Sequence, residues 1–538
     1  MKIFKFCKKY LMKYKIILTT YILISLAITS LGILSPYITG DFLDSLIRGE
    51  DISVILRFCA IFATLSILKI LLGFITSIMY TKMQISIGSE LNRDTIYHIQ
   101  NLSLSFINKN DGAYLNQRVN NDSNSVIIFC ITILQNIITN VVMFVVPFII
   151  LLNMNFSIAI IIIIFNTIYI LLYIAFKKPL YKIGFLFKEN QSKFFSSLYE
   201  QFQYIKLIKI NSIQPEINKR LDKSFKNLKQ SAIKSQKITY LFSSLDSFVG
   251  TIAQIALFVI GGIQILKGNF TVGMFTIFSS YFGMMISSSR YFFNLGASYQ
   301  NTLICYNRLV DIYNQEQESV GTEIIRDIET IKLENLSFSY ADKKIINDLN
   351  ISFEKGKMYG IVGKNGTGKS TFINLILGLY IDEKQGNISY NGININDINM
   401  KLIRREVVAF SEQEPFLIND TIRYNLAFNN ESSFSNLDEC LKILNMNKFI
   451  ENLDNGLDSV VNEKNSNISG GEKQKISILK VLLRDTQIMI FDEPTSALDV
   501  DTTRKFITYL NRIKRNKIII IITHDDYIKN ECDVIVEF

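Results

Sequence analysis

Eight consecutive residues, Gly363, Lys364, Asn365, Gly366, Thr367, Gly368, Lys369 and Ser370, fit the phosphate-wrapping pattern GxxxxGK[ST]. Glycines let the backbone curl until several N–H groups face one anion, and a helix opening at the loop adds the positive end of its dipole. The lysine brings charge to the outer phosphates, and the serine hydroxyl suits Mg²⁺. The context is the required one, with an apolar strand MYGIV ahead and a helical run STFINLILGL behind. Further on, the apolar run 488–491 ends in Asp492 and Glu493. A carboxylate at the end of a buried strand suits Mg²⁺, and the next one is placed to orient and deprotonate an attacking water. Between the two lies Ser469, Gly470, Gly471 and Glu472, again followed by a helical pattern.

The elements that must position these residues follow from residue 325 onward. Short Ile/Val strands alternate with helices in IKLENLSFSY, KMYGIVG, IMIFDEP and IIIIITHD, which predicts an α/β domain over 325–538 built on a parallel sheet covered on both faces. The region before it differs. The chain is 49% hydrophobic, only 20% charged, with a mean hydropathy of +0.23, so disordered, collagenous and disulfide-scaffold classes are excluded. Apolar runs at about 16–40, 53–81, 123–152, 156–176, 238–266 and 271–292 predict a membrane α-helical bundle of six spans within residues 1–315. Residues 1–15 hold six lysines and no acid, and the stretch 177–237 holds fourteen Lys/Arg against four acids, whereas 41–51 carries four acids and one arginine. That bias puts both termini and the α/β domain on the cytoplasmic side of a cell membrane. The net charge of +9 therefore reflects topology, and nucleic acid is not expected as a partner. The stretches 82–122 and 177–237 read as helices continuing into the cytoplasm.

The order of motifs resembles that of ATP-binding cassette (ABC) proteins, and six spans followed by one cassette resembles a half-size ABC exporter over nearly the whole chain. The resemblance implies a P-loop NTPase that binds ATP and Mg²⁺ and works as a dimer with a second half-transporter, like or unlike. It implies an ATP site of Tyr340, Gly363 through Ser370, and Thr371, with Tyr340 stacking on adenine. It implies Mg²⁺ contacts from Ser370, Gln413 and Asp492, and catalytic roles for Glu493, His524 and Gln413. Ser469, Gly470, Gly471 and Glu472 match the signature that acts on the partner's ATP, and Ser496 and Asp499 the loop that links the two sites. Segments near Asp111 and Gly112, and 208–215, match the coupling helices that dock on cassettes. Function is then ATP-driven export by alternating access, of a peptide (bacteriocin or signalling peptide) or a hydrophobic drug. A lipid flippase and a nucleotide-gated regulatory membrane protein are the alternatives.

Three features depart from the family pattern. Glu472 stands where many relatives carry Gln, either as natural variation or as a charge that weakens ATP closure. Residues 462–467 only loosely match the stretch that usually precedes the signature. The sequence runs fourteen residues past His524, which would leave out dimer contacts that relatives make further on. No papain-like leader peptidase is expected ahead of the spans.

Weaker signals remain. Lys69, Asp246 and Arg290 are ionisable residues in or near the spans, where such groups suggest function. Asp246 and Arg290 sit at similar depth on two helices joined by a short outer loop, and an ion pair between them is expected. Gln135, Asn136, Asn140, Asn166 and Gln254 read as interhelical hydrogen-bond partners. The six cysteines form no CxxC pair and read as buried hydrophobes.

Overall fold

The computed structural model describes the chain except Met1, Glu50, Asn365 and residues 155–156, 341–342, 382–383, 429–433 and 462–467. Within helices it leaves out the side chains of Met154, residues 157–163, Phe165, Asn166, Asp246 and Ala497. It divides into two units, one of residues 1–102 and 106–316, the other of 103–105 and 317–538.

The first unit is helical. A short helix α1 (Lys2–Lys13) buries Ile3, Cys7, Tyr10 and Leu11. Its basic edge pairs Lys9 with Asp94 at 2.9 Å and Lys13 with Glu90 at 3.0 Å. Six long helices follow: α2 (Lys15–Ile47), α3 (Ile52–Gln100), α6 (Ser123–Met154), α7 (Ser157–Gln203), α9 (Gln214–Leu266) and α10 (Val272–Tyr313). Short helices α4 (Leu104–Lys109), α5 (Gly112–Gln117) and α8 (Ile205–Asn211) join them. At 1.5 Å per residue, the 49, 47 and 53 residues of α3, α7 and α9 give helices of about 70–80 Å, more than twice the thickness of bilayer hydrocarbon.

Among the described residues four segments are long and apolar enough to cross a membrane: Lys15–Ile47, Ile52–Gln100, Gly112–Asn153 and Gln214–Leu266. In the expected span 156–176 the side chains of residues 156–163, 165 and 166 are outside the described residues. The expected span 271–292 lies on α10, where Ser279, Ser280, Ser287, Ser288 and Ser289 lower the hydropathy.

Two features hold the long helices together. At one end of the bundle, Asp44 of α2 caps α10, accepting from Thr271 Oγ1 at 2.6 Å and from the Gly273 N–H at 2.8 Å. A Cβ on Gly273 would lie 2.2 Å from the Gly40 carbonyl oxygen, so glycine permits this crossing. Towards the other end Arg308 of α10, 2% exposed, meets Asp122 at 2.8 Å and Glu189 of α7 at 3.0 Å. It also donates to Ser192 Oγ at 2.7 Å. The carboxylates lie off the guanidinium N–H axes, so this pairing is mainly coulombic. A π-helical turn, Arg118–Asp122, leads into α6 and ends at the carboxylate that Arg308 meets.

The second unit contains two larger sheets and a two-stranded one. An antiparallel sheet has the order β2-β1-β4-β5, from β1 (Thr330–Tyr340), β2 (Lys343–Glu354), β4 (Gln385–Tyr390) and β5 (Ile393–Asn394). A parallel sheet has the order β11-β3-β10-β9-β6, from β3 (Met358–Val362), β6 (Val408–Ser411), β9 (Ile488–Asp492), β10 (Ile518–Ile522) and β11 (Val534–Glu537). Between β6 and β9 in sequence, β7 (Asp420–Thr421) pairs with β8 (Val460–Val461). The parallel strands read as expected: β10 is five isoleucines, all buried, as a strand covered on both faces must be. The segment IKLENLSFSY is a correction. It forms β1 of the antiparallel sheet, because its Ile331, Leu333, Leu336 and Phe338 alternate with exposed polar residues and offer one buried face.

Arg308→Met would leave the buried Asp122 without its cation and Glu189 with Arg118 alone, at 3.5 Å. The expected loss is about 3–5 kcal/mol, read as a lower unfolding temperature of the detergent-solubilised chain. Adding Asp122→Leu should recover much of it.

Candidate functional site

Four neighbouring parallel strands deliver the site. The phosphate loop follows β3, His524 follows β10 by two residues, Asp492 ends β9, and Gln413 follows β6 by two. The strands are paired in the order β3-β10-β9-β6, so their C-terminal ends share one edge, where ligand crevices of such sheets form. A cavity of about 330 Å³ at that edge is lined by Lys369, Ser370, Thr371, Gln413, Asp492 and Glu493, together with Gly366 and Gly368.

Gly366 and Gly368 have φ of +83° and +103°, a backbone that side-chain-bearing residues rarely adopt. Helix Lys369–Ile376 starts immediately after, so its first N–H groups open onto the cavity. The Lys369 ammonium donates to the Gly363 carbonyl at 2.5 Å and lies 2.7 Å from His524 Nε2. Lys364 turns the loop through its carbonyl, which accepts from Thr367 Oγ1 at 2.9 Å. Asn365 lies outside the described residues. Tyr340 stands at the rim: its ring packs edge-on against Tyr380, and its hydroxyl is 3.5 Å from Thr371 Oγ1.

Glu493 is held in the left-handed region, φ +48°, which costs energy for a non-glycine residue. Three bonds fix it. Its N–H donates to the Ile522 carbonyl at 3.0 Å, its carbonyl accepts from Gln474 Nε2 at 2.8 Å, and its carboxylate accepts from Gln413 Nε2 at 2.7 Å. His524 Nε2 is 3.6 Å from the other carboxylate oxygen. Asp492 is 8% exposed. Burial, reinforced by the Glu493 charge, pushes its carboxyl up to about 6, against the opposing pull of Lys369. Two adjacent carboxylates, one buried, beside a hydroxyl and an amide form an oxygen donor set suited to a hard divalent cation.

The signature residues do not line this cavity. Ser469 caps the helix Gly470–Arg484 in a reciprocal box with Glu472. The Glu472 carboxylate accepts from the Ser469 N–H at 2.6 Å and from its hydroxyl at 2.8 Å. Gly470 has open space around its Cα, so the face around this helix start is uncrowded. Asp499 caps helix Val500–Ile513 by accepting from the Thr502 N–H at 2.7 Å, and that bond holds its carboxyl below the usual range. Ser496 donates to Gln474 Oε1 at 2.8 Å.

Gln474 is thus a residue that motif reading passes over. It is buried and bridges Glu493 and Ser496 from the same helix that Ser469 caps. Its only signal in the sequence is a polar residue among the apolar positions of an amphipathic helix.

The membrane charges Lys69, Asp246 and Arg290 belong to the helical unit. Lys69 Nζ lies 3.6 Å from where a Cβ on Gly32 would be, and the Arg290 guanidinium covers Gly250. The Asp246 side chain is outside the described residues, and its expected pairing with Arg290 falls there. Asp111 caps α5, and Ile208 and Ser212 close α8, the two places where coupling helices are expected.

Fold and site together describe a membrane-embedded nucleotide-driven machine. A family profile described as the ABC transporter transmembrane region matches residues 18–289, and one described as ABC transporter matches 346–496. The chain belongs to the ABC transporters, with the architecture of a half-size exporter whose ATPase is coupled to transport. It is 28% identical over 438 residues to an ATP-dependent lipid A-core flippase of Syntrophus aciditrophicus (strain SB), covering 80% of this chain and 72% of the relative. It is 27% identical to the Lactococcin-G-processing and transport ATP-binding protein LagD of Lactococcus lactis subsp. lactis, covering 95% and 73%. The fold is similar to a bacterial Atm1-family ABC exporter solved with ATP bound, with a TM-score of 0.88, 20% identity, and 97% and 93% of the two chains covered.

Gln474→Leu should lower the kcat of ATP hydrolysis about tenfold or more, since it leaves buried polar groups unpaired next to Glu493, while KM for ATP stays within about twofold. Steady-state kinetics on the full chain would show the split.

Proposed function

We propose that this chain is one half of a dimeric exporter of the bacterial cytoplasmic membrane, crossing it six times with both termini and the cassette inside. The observation that carries the reading is the convergence of Lys369, Asp492, Glu493, Gln413 and His524 on one cavity edge, with Ser469 and Glu472 standing outside it. A site that presents its own phosphate loop and keeps its signature elsewhere is completed by a second cassette.

In this reading the first-turn N–H groups and Lys369 take the β- and γ-phosphates of ATP, and Tyr340 meets the adenine. The ammonium exchanges its contacts with Gly363 and His524 for phosphate oxygens. Glu493 holds the attacking water and accepts its proton, as the phosphorus–oxygen bond to ADP breaks and the new one to water forms. Gln413 keeps the Glu493 carboxylate aimed, and His524 is left to steady the γ-phosphate. Ser370, Gln413 and Asp492 would hold Mg²⁺, which supplies charge neutralisation at the phosphates. Ser469 through Glu472 act on the partner's nucleotide, and Ser496 and Asp499 link the two sites.

The exported substrate is a peptide or a hydrophobic drug. A cavity of about 730 Å³ in the helical unit supports an apolar cargo: rings of Phe129, Phe144, Tyr169, Tyr173, Phe293 and Tyr299 wall it, and no charged side chain lines it among the described residues. The same observation favours lipid flipping as a second reading, in line with the name of one relative, whereas another is named for a bacteriocin.

ATP hydrolysis by the chain alone in lipid nanodiscs tests the core of the proposal. Turnover that rises cooperatively with ATP and falls about 100-fold or more in Glu493→Gln is the expected result. A folded, ATP-binding chain without turnover would overturn the homodimer and require an unlike partner subunit.

A further inference from the structure

The cytoplasmic parts of α7 and α9 carry a feature that neither ATP hydrolysis nor an apolar cargo uses. Asn190 and Lys193 lie one turn apart on α7. Facing them on α9 are Arg220, Lys223, Ser224 and Asn227, spaced at 0, 3, 4 and 7 along one helical stripe. The six residues enclose a cleft of about 200 Å³. Three cations therefore converge with two amides and a hydroxyl, and no carboxylate lines the cleft.

Carboxylates are close in sequence, but they are engaged elsewhere or set apart. Glu189, one turn before Lys193, is drawn to Arg308 at 3.0 Å and Arg118 at 3.5 Å and accepts from Tyr114 at 3.3 Å. Asp222 stands beside Lys223 in sequence without lining the cleft. Among the described residues none of Lys193, Arg220 and Lys223 has an acidic partner at ion-pair distance. Three like charges around one small cleft raise its potential, and an anion entering it relieves their repulsion.

Depth decides what kind of anion. On the six-crossing reading, Lys193 lies seventeen residues beyond the end of the fourth apolar run, and Arg220 and Lys223 lie eighteen and fifteen before the fifth. At 1.5 Å per residue both stripes sit about 22–27 Å below the hydrocarbon. Headgroups reach only about 5–8 Å beyond it, and screening cuts the surface potential about threefold for every 8 Å or so further out. The cleft is out of reach of its own membrane's lipids. The donors also have a preference: an arginine fork, two ammonium groups and neutral amide donors match the several oxygens and double charge of a phosphate group.

We propose that the α7–α9 cleft binds a soluble phosphate-bearing anion, a phosphomonoester or pyrophosphate group, through Lys193, Arg220 and Lys223. The bound group ties α7 to α9, the two arms joined through α8 and the left-handed Ser212.

The test uses the full chain in nanodiscs of neutral phosphatidylcholine, with Lys369→Ala to silence the phosphate loop, and inorganic pyrophosphate as the probe in calorimetry. Binding of one pyrophosphate per chain is expected, weakened at least about tenfold by adding Lys193→Gln, Arg220→Gln and Lys223→Gln. The triple variant on the otherwise unaltered chain should keep its basal ATPase and unfolding temperature, which shows that it is folded. Equal binding by the triple variant, or none by the starting protein up to about 10 mM, would overturn the site. Sulfate binding as tightly as pyrophosphate would overturn the phosphate assignment. Loss of pyrophosphate binding in phosphatidylglycerol nanodiscs would assign the cleft to lipid headgroups and overturn the soluble ligand. Failure of the homodimer would remove only the ATPase control and leave the unfolding temperature and every pyrophosphate-binding readout unchanged.

Discussion

The cassette depends on holding Glu493 in a backbone conformation that it does not favour. A left-handed glutamate at the end of a buried strand is costly, and it persists only because neighbours on three sides over-determine it. Ile522 of the adjacent strand takes its N–H, and Gln474 of the signature helix donates to its carbonyl. Gln413, beyond the strand on the other side, takes its carboxylate. Each partner is available only because β10, β9 and β6 lie side by side and end together. The strand order is therefore part of the site. Five isoleucines in β10 supply the burial that keeps these strands in register.

Gln474 gives this constraint a second consequence. The helix whose first turn is capped by Ser469 also carries the amide that holds Glu493 and Ser496. A rigid rotation of that helix moves its N-terminus and the Glu493 carbonyl together. In the proposed dimer, one face of the helix would meet the partner's nucleotide while the other positions its own chain's carboxylate. Coupling between two ATP sites then needs no long pathway, only one helix with one buried amide two residues past its capping box.

Much of the cassette was legible because its chemistry is local. The phosphate loop requires glycines at fixed spacing beside a lysine and a serine, and a buried strand ending in two carboxylates is unusual enough to notice. The apolar runs were equally plain, although part of one, residues 156–163, 165 and 166, has no described side chains. Three features were not legible. Strand β1 looked like another α/β strand because its four spaced apolar positions resemble a short apolar run until the burial of one face is known. Gln474 hid among ordinary helix positions, since nothing local marks an amide that will meet a residue nineteen positions away. Arg308 and Glu189 are 119 residues apart on helices whose polar residues read as solvated, and only packing shows that the arginine is buried.

Glu472 has a capping role in the structure and a charge that bears on the proposed dimer. Its carboxylate closes a capping box on Ser469, and an anion at a helix N-terminus stabilises it by about 0.3–1 kcal/mol. A glutamine could accept the same hydrogen bonds but would lack that charge. The charge acts against the arrangement only when a phosphate approaches. Two charges 4 Å apart at an effective dielectric near 20 interact by about 4 kcal/mol, more than the cap returns. The Ser469 hydroxyl, donating to Glu472, must also turn away before it can serve a phosphate. In the proposed dimer Glu472 would strengthen the isolated cassette and oppose closure, and the opposition would fall on the nucleotide site of the partner, whose own phosphate loop can be intact.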